Sequence, residues 1–212
     1  ATGGKLIAGA PDVRFDTVSI DSRTVGSGAL FGALRGGRFG GHDYIAQATG
    51  AGARGFLVSS VVSTNPGQSV IQVPDTLLAL QQLASRIRER SGSVVVAITG
   101  SAGKTSTKEI TADLLATRFS VFRNRGNLNN HIGLPLSLTE LAHGPEMAVV
   151  ELGMNHVGEI RELIQIANPD VRVWINVGDA HIGYFGSREQ VAKAKAEILE
   201  FAGRDTLVVA NA

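Results

Sequence analysis

Cysteine is absent from this chain of 212 residues. Its absence excludes disulfide bonds, thiolate metal sites and thiol catalysis, and it fits a cytoplasmic protein. No apolar run approaches the ~20 residues that a membrane-spanning helix needs, and no secretory signal opens the chain. The net charge is only +1, so we expect neither a nucleic-acid partner nor binding to an anionic membrane.

The composition is that of a globular protein, with 43% apolar and 18% charged residues. The length suffices for one large or two small domains, each with a hydrophobic core. The chain begins at Ala1 rather than at methionine and stops at Ala212, directly after a strand-like run. We therefore expect it to be a segment of a longer protein.

The apolar patterning divides the chain at a short hinge, residues 91–93. We predict a small α/β domain over residues 1–91 and an incomplete second domain over residues 92–212. In the first domain, Asp75 is the predicted N-cap of a helix that ends near Arg90. The other predicted elements are strands at 13–20, 29–34, 55–58 and 70–73, and a helix near 42–50.

In the second domain, continuous apolar strands alternate with amphipathic helices. This order is typical of a mostly parallel, doubly wound α/β sheet that is covered by helices on both faces. Ligands bind such sheets at the carboxyl ends of the strands, so the loops after the first, third and fourth strands should converge on one site. The predicted strands are 94–98, 119–122, 147–152, 171–177 and 206–210, and the predicted helices are 104–117, 131–141, 157–167 and 188–202.

The loop after the first of these strands has the pattern G-x-x-G-K-T and is the most informative part of the chain. Its glycines let backbone N–H groups close around phosphate oxygens, Lys104 supplies a positive charge, and the Thr105 hydroxyl can bind Mg²⁺. The alternative is an ordinary glycine-rich turn between a strand and a helix. The residues predicted to bind a nucleotide triphosphate are Gly100, Ser101, Ala102, Gly103, Lys104, Thr105 and Ser106.

Glu151 and His181 follow two other strands of the predicted sheet. A carboxylate and an imidazole beside a magnesium triphosphate can complete the coordination of one or two divalent ions, although Mg²⁺ prefers oxygen and histidine is the less expected ligand. Alternatively, Glu151 is a strand-end carboxylate bound by backbone groups, and His181 is a structural or exposed residue. Asp179 and His156 are weaker candidates, and we leave them out of the metal site.

Lys195 falls on the apolar side of the predicted helix at 188–202, among Val191 and Ile198. An ammonium group that faces the interior costs several kcal/mol unless it is paired or neutralised. Either its stem carries it to the surface, or it points into the phosphate site, where the neutral amine can react with CO₂ to form a carbamate ligand for Mg²⁺. The other side of this helix is a charged stripe that we expect to be solvated: Glu189, Lys193, Glu197 and Glu200.

Taken in order, these motifs resemble the Mur ligase family, the ATP-dependent amide-bond synthetases of bacterial cell-wall assembly. The resemblance extends over nearly the whole chain. It is carried by residues 20–25, 28–36 and 42–45 at the front, by the phosphate loop at 99–107, and by the segments 126–135, 151–155, 180–187 and 191–198.

The resemblance implies a role for each candidate residue. Lys104 and the loop amides would hold the β- and γ-phosphates of ATP, while Thr105 and Glu151 would bind a first Mg²⁺. His181 and a carbamylated Lys195 would bind a second, which makes both of them catalytic residues together with Lys104. The residues implied to lie near the substrate are Ser22 and Arg23, beside uridine diphosphate, and Asn127, Asn129 and Asn130, between the nucleotide and peptide sites.

The implied reaction joins D-alanyl-D-alanine to UDP-N-acetylmuramoyl-tripeptide through an acyl phosphate, catalysed by a cytoplasmic monomer. The resemblance implies a longer protein with a C-terminal domain that we expect this segment to lack, and we therefore expect the segment alone to have negligible ligase turnover. One alternative is a related Mur ligase that adds the third residue of the stem peptide, but residues 127–135 and 193–198 argue against it. The other is a nucleotide-binding module without catalysis, which would need neither an inward Lys195 nor a uridine-binding first domain.

Overall fold

Two compact units make up the chain, Ala1–Leu83 and Ala84–Ala212. The computed structural model describes residues 2–35, 40–179 and 182–211. The division falls inside a long helix, Thr76–Ser91, while the domain boundary at residues 91–92 and the roles of the two domains stay predictions. In the described parts of both units, no helix has the length and apolar character needed to cross a membrane.

The first unit is built around a sheet of five strands. Its elements are β1 (Lys5–Ala8), β2 (Val18–Ser19), β3 (Leu30–Gly32), a 3₁₀ turn (Gly41–Tyr44), α1 (Ile45–Gly50), β4 (Gly55–Val58), β5 (Ser69–Gln72) and α2 (Thr76–Ser91). The strands lie in the order β1-β5-β4-β3-β2, and every pair is parallel except β1 with β5. Asp75 caps α2 as predicted, because its Oδ1 accepts hydrogen bonds from the N–H groups of Leu77 and Leu78.

The N-terminal part differs from the prediction in two places. Strand β1 was not predicted, because three of its four residues are exposed and such an edge strand lacks the alternation that marks a half-buried one. The strand predicted at 13–20 is reduced to β2. Phe15 instead packs from outside the strands against a buried cluster that includes Leu30 and Leu57.

The second unit has a fully parallel sheet of five strands. Its elements are β6 (Val94–Thr99), α3 (Lys104–Ala116), β7 (Val121–Arg123), α4 (Gly133–Leu138), a 3₁₀ turn (Thr139–His143), β8 (Met147–Glu151), α5 (Glu159–Ala167), β9 (Val171–Trp174), α6 (Ile182–Phe185), α7 (Arg188–Ala196), a second 3₁₀ turn (Glu197–Leu199) and β10 (Leu207–Ala210). The strand order is β10-β9-β6-β8-β7. The carboxyl ends of β9, β6 and β8 therefore lie side by side, as the sequence predicts.

Both faces of this sheet are covered. Alternate residues of the central strand β6 enter different clusters: Val95 and Ala97 pack with the helical residues of one face, and Val96 and Ile98 pack with Ala112 of α3 on the other. The doubly wound α/β arrangement predicted for this part of the chain is thus confirmed.

The end of α7 corrects one prediction. The helix stops at Ala196 rather than near residue 202, and the chain continues as a 3₁₀ turn. Glu197, which we expected on the solvated stripe, is only 3% exposed. Its carboxylate accepts hydrogen bonds from the N–H groups of Gly158 at 2.7 Å and Arg161 at 3.1 Å, and it thereby caps the N-terminus of α5, where backbone donors lack helical partners.

Leu134 offers a test of the core beneath this sheet. It is fully buried within α4, beside Leu138 and Leu141. We expect Leu134→Ala to lower the free energy of unfolding by about 2–5 kcal/mol, because truncation removes apolar contacts and leaves a cavity. Urea unfolding followed by the fluorescence of Trp174, the sole tryptophan of the chain, measures this loss.

Leu114→Ala is the matched control. Leu114 is 68% exposed on α3, so its truncation should change the free energy of unfolding by no more than ~0.5 kcal/mol. Equal losses in the two variants would contradict the described core.

Candidate active site

The predicted phosphate loop connects β6 to α3. The strand ends at Thr99, and the helix begins at Lys104. Gly103 precedes the helix with a φ of +79°, a left-handed conformation that glycine adopts without the steric cost a Cβ would bring. The strand–turn–helix context that the motif requires is therefore present, and the N–H groups of the first helical turn are available to an anion.

Asn176 holds this loop in place from the adjacent strand end. Its Oδ1 accepts hydrogen bonds from the N–H groups of Ser101 and Ala102, each at 3.0 Å, and its Nδ2 donates to the carbonyl of Ala102 at 3.1 Å. A second contact lies beside it, because the Ser101 hydroxyl accepts from the N–H of Gly178 at 2.8 Å. Sequence reasoning missed Asn176, because the residues around it carry no signal that specifies a partner in this loop.

Thr105 and Glu151 meet at the carboxyl ends of β6 and β8. The Thr105 hydroxyl donates to Oε2 of Glu151 at 2.7 Å, and Nδ2 of Asn129 donates to Oε1 at 2.5 Å. Glu151 is only 2% exposed. The sequence prediction that places these groups together is confirmed in its geometry, while their role as metal ligands stays a prediction.

The surroundings of Glu151 fit a bound Mg²⁺. Within the described ranges, its carboxylate forms no ion pair with lysine or arginine, and its two side-chain donors are neutral. A buried carboxylate without a cation is costly. A hydroxyl and a carboxylate beside a phosphate loop are the oxygen donors that Mg²⁺ takes together with substrate phosphates and water.

Lys195 faces the interior, as one of the two sequence readings predicts. It is 2% exposed, so the reading in which it reaches the surface is wrong. Its Nζ donates to the carbonyl of Gly100 at 3.0 Å, and Nζ of Lys104 donates to the same oxygen at 3.0 Å. Burial, and then the charge of Lys104, lowers the pKa of the Lys195 ammonium to about 8.

A polar cavity of about 300 Å³ opens beside these groups. Lys104 and Lys195 line it together with Asn127, Asn129 and Asn130. Of the three asparagines, Asn130 has a structural task as well, because its Oδ1 accepts hydrogen bonds from the N–H groups of Ile132 and Gly133 at the start of α4. The three asparagines predicted to shape the wall of the site thus lie at one cavity, and their contacts with substrate stay predictions.

The remaining metal candidates divide into two groups. His181 lies outside the described residues, so its part in a second metal site stays a prediction. The weaker candidates have other partners: Asp179 pairs with Arg188 at 2.7 Å, and the ring of His156 lies edge-on to that of Tyr184. Across the described part of the chain, no group of three or more histidine, cysteine or acidic residues could hold a metal ion.

Ser22 and Arg23 lie in the first unit, next to each other in the chain. Ser22 is buried, and its hydroxyl donates to Oε1 of Gln47 at 2.9 Å. The exposed Arg23 forms an ion pair with Asp21 and lowers the pKa of that carboxyl to about 2. Of Ser22 and Arg23, only Arg23 is charged and exposed. The predicted proximity of both residues to uridine diphosphate is not tested by these contacts.

Comparison with known proteins decides the family. The Mur ligase middle domain matches residues 98–212, more than half of the chain, and the catalytic domain of the Mur ligase family matches residues 14–88. The chain belongs to the Mur ligase family. The residues of the candidate site, apart from Ser22 and Arg23, all lie within the middle-domain match.

Several individual Mur ligases are similar to this one. The UDP-N-acetylmuramoyl-tripeptide–D-alanyl-D-alanine ligase of Rickettsia prowazekii is 44% identical over 200 residues, which are 94% of this chain and 44% of that enzyme. A MurF crystal structure from Acinetobacter baumannii is 37% identical with a TM-score of 0.86, over 94% of this chain and 44% of that one. A MurF ligase from Thermotoga maritima, in complex with ADP, is 35% identical with a TM-score of 0.81, over 95% of this chain and 47% of that one. This Mur ligase chain thus spans less than half the length of these relatives.

Asn176→Ala tests whether the phosphate loop depends on its neighbouring strand. Loss of three hydrogen bonds to the loop should weaken nucleotide binding by roughly tenfold, equivalent to ~1.4 kcal/mol. Fluorescence titration of the full-length protein with a labelled ATP analogue measures the change. Asn65→Ala, at an exposed turn of the first unit, should bind as the unsubstituted protein does, and unchanged affinity in Asn176→Ala would show that the loop holds its shape unaided.

Proposed function

We propose that the protein is an ATP-dependent ligase that joins D-alanyl-D-alanine to UDP-N-acetylmuramoyl-tripeptide in peptidoglycan precursor synthesis. The observation that carries the proposal is the convergence of three groups at one edge of the sheet: the phosphate loop, the Thr105–Glu151 pair and the inward Lys195. The names of the relatives with about 40% identity support the choice of substrates. We also propose a cytoplasmic monomer without a nucleic-acid or membrane partner.

ATP is the first substrate in this proposal. The N–H groups of Gly103 and of the first turn of α3 would hold its β- and γ-phosphates together with Lys104, because the N–H groups of Ser101 and Ala102 already donate to Asn176. Thr105 and Glu151 would hold the Mg²⁺ that accompanies it. A carboxylate substrate must approach a polyanion, so positive charge has to offset repulsion between the two reactants. Lys104 would supply part of that charge, and the bound Mg²⁺ would supply the rest.

The reaction then proceeds in two steps. An oxygen of the tripeptide carboxylate attacks the γ-phosphorus, a new O–P bond forms, and the bond to ADP breaks. The amine of D-alanyl-D-alanine next attacks the acyl carbon, phosphate leaves with the bonding electrons, and the amine gives up a proton as the amide forms. In this scheme Lys104 and the asparagine-lined cavity orient the phosphates and exclude water from the acyl phosphate.

Lys195 has a second proposed role as a carbamate. The neutral amine attacks CO₂, an N–C bond forms, and a proton is released, which converts a cation into an oxygen ligand. The lowered pKa of Lys195 makes the reactive neutral form accessible near physiological pH. Together with His181, this carbamate is proposed to serve a second Mg²⁺.

The first unit is proposed to bind the uridine nucleotide of the substrate, with Ser22 and Arg23 near the diphosphate.

Two other functions remain alternatives: addition of the third residue of the stem peptide, and nucleotide binding without catalysis. The buried Lys195, beside the loop carbonyl, supports catalysis, because burying an ammonium group is costly and the proposed carbamate gives that burial a catalytic use.

An assay with each candidate amine separates these functions. Full-length protein is incubated with ATP, UDP-N-acetylmuramoyl-tripeptide and either D-alanyl-D-alanine, a diamino acid or no amine. We expect phosphate release and a new amide only with the dipeptide, and we expect Lys104→Ala to abolish both ATP binding and turnover, because it removes the charge at the phosphates. If the protein binds nucleotide but releases no phosphate in response to any amine, the ligase proposal is overturned in favour of a nucleotide-binding module without catalysis.

The carbamate has its own test. Carbon-13-labelled bicarbonate should give a carbamate resonance that grows from about pH 7 to about pH 9, because the Lys195 amine loses its proton over this interval. Lys195→Ala should lose the resonance, together with activity that bicarbonate does not restore. Lys193→Ala, on the exposed side of the same helix, is the matched control; a resonance that persists without Lys195 would assign the carbamate elsewhere.

A further inference from the structure

A lysine that the proposed reaction does not use is buried in the first half of α3. Lys108 is fully inaccessible to solvent, and its Nζ donates to the main-chain carbonyl of Asn124 at 2.6 Å. It also lies 3.0 Å from Oε1 of Glu109, whose other oxygen binds Arg123 at 2.6 Å. Glu109 is partly exposed and already has Arg123 as a cationic partner. The need to neutralise Glu109 therefore does not explain why the ammonium group of Lys108 is buried beside it.

Asn124 connects this lysine to the candidate metal site. It is fully buried, and each end of its side-chain amide is used. Oδ1 accepts a hydrogen bond from the N–H of Glu151 at 3.1 Å, and Nδ2 donates to the carbonyl of Leu128 at 2.8 Å. One residue therefore fastens the end of β8 and the loop that approaches it.

The loop returns to Glu151 through Asn129. Nδ2 of Asn129 donates to the Glu151 carboxylate, and its carbonyl accepts from the N–H of Gly153 at 2.8 Å. These hydrogen bonds form a closed ring that links Asn124, Leu128, Asn129 and Glu151, so each residue limits the position of the next. Lys108 is attached to this ring by its hydrogen bond to the main-chain carbonyl of Asn124.

Helix α3 contributes to both sides of the site. Thr105 and Lys108 are three residues apart and lie on one face of the helix. Thr105 contacts the Glu151 carboxylate directly. Lys108 instead fixes the segment 124–129, which binds both the main-chain N–H and the carboxylate of Glu151. A rotation of this helix would therefore change the hydroxyl and the carboxylate together.

We propose that Lys108 and Asn124 are a positioning pair, which sets Glu151 and Asn129 for the magnesium complex of the nucleotide. The inference rests on the proposed function, since it concerns the metal of that same site. Lys108 touches neither nucleotide nor metal in this account; it acts through Asn124.

The Mg²⁺ concentration that half-saturates nucleotide binding is the readout. A non-hydrolysable ATP analogue is titrated into full-length protein by calorimetry, first with EDTA and then over a range of Mg²⁺. We expect Lys108→Met to raise the half-saturating Mg²⁺ concentration by about tenfold, the usual effect of removing an outer partner of a metal ligand. Affinity in EDTA should remain within about twofold, because Lys104 and the loop amides are unchanged.

Asn124→Ala removes both side-chain hydrogen bonds without removing a buried charge, and it keeps the inference testable if Lys108→Met fails to fold. Asn124→Ala should cause a similar increase in the half-saturating Mg²⁺ concentration. The double variant should be no worse than the stronger single variant, because residues that act through one path are not additive. Lys108→Arg, which keeps a cationic donor, should recover much of the Mg²⁺ response.

Arg88→Met is the control for lost stability. Arg88 is buried and donates to the carbonyls of Ala167 and Asn168. These partners directly precede β9, at the amino ends of the strands, whereas the metal site lies at the carboxyl ends, so loss of Arg88 should weaken folding without changing the half-saturating Mg²⁺ concentration. An equal change in this control, or no change in Lys108→Met and Asn124→Ala, would overturn the positioning role. If the unsubstituted protein binds the analogue without any Mg²⁺ response, the proposed function fails as well.

Discussion

The hydrogen bond between the Thr105 hydroxyl and the Glu151 carboxylate joins the helix after β6 to the end of β8. It is possible because these strands are parallel neighbours, with Ile98 paired to Glu151. A shift of register by one residue would turn Glu151 toward the other face of the sheet. The buried alternating residues of β6, which pack on both faces, prevent such a shift, so core packing determines where the polar groups meet.

The sequence was sufficient for the doubly wound sheet and for the strand–turn–helix context of the predicted phosphate loop, because each is encoded by local pattern. It placed Lys195 on the apolar side of its helix but left open whether the side chain reaches the surface, and only the structure shows that it is buried. Apolar strands, a glycine-rich turn and the apolar side of a helix can be recognised within about ten residues. Glu197 was misplaced for the same reason. The helical periodicity was extended past Ala196, where the chain changes to a 3₁₀ turn and rotates the following side chain inward.

Asn176 and Asn124 could not be predicted from such patterns. Asn176 binds backbone groups at Ser101 and Ala102, more than seventy positions earlier, and Asn124 binds Glu151 across two other elements. Nothing in the residues around either asparagine specifies these partners. Contacts of this kind become visible only when the order of strands in the sheet is known, because neighbours in the sheet are distant in the chain.

The cap that Glu197 places on α5 ties together two parts of the second unit. Lys195 and Glu197 belong to the same short stretch, and the carboxylate of Glu197 is fixed to the N–H groups of Gly158 and Arg161. The chain between Glu151 and Gly158 is therefore anchored at one end by the sheet and at the other by the stretch that carries Lys195. A displacement of α5 would therefore shift the stretch that carries Lys195 and the segment that follows Glu151 together. The distance between Lys195 and Glu151, the two ligand candidates, is thus set by the backbone of the second unit and not by either side chain alone.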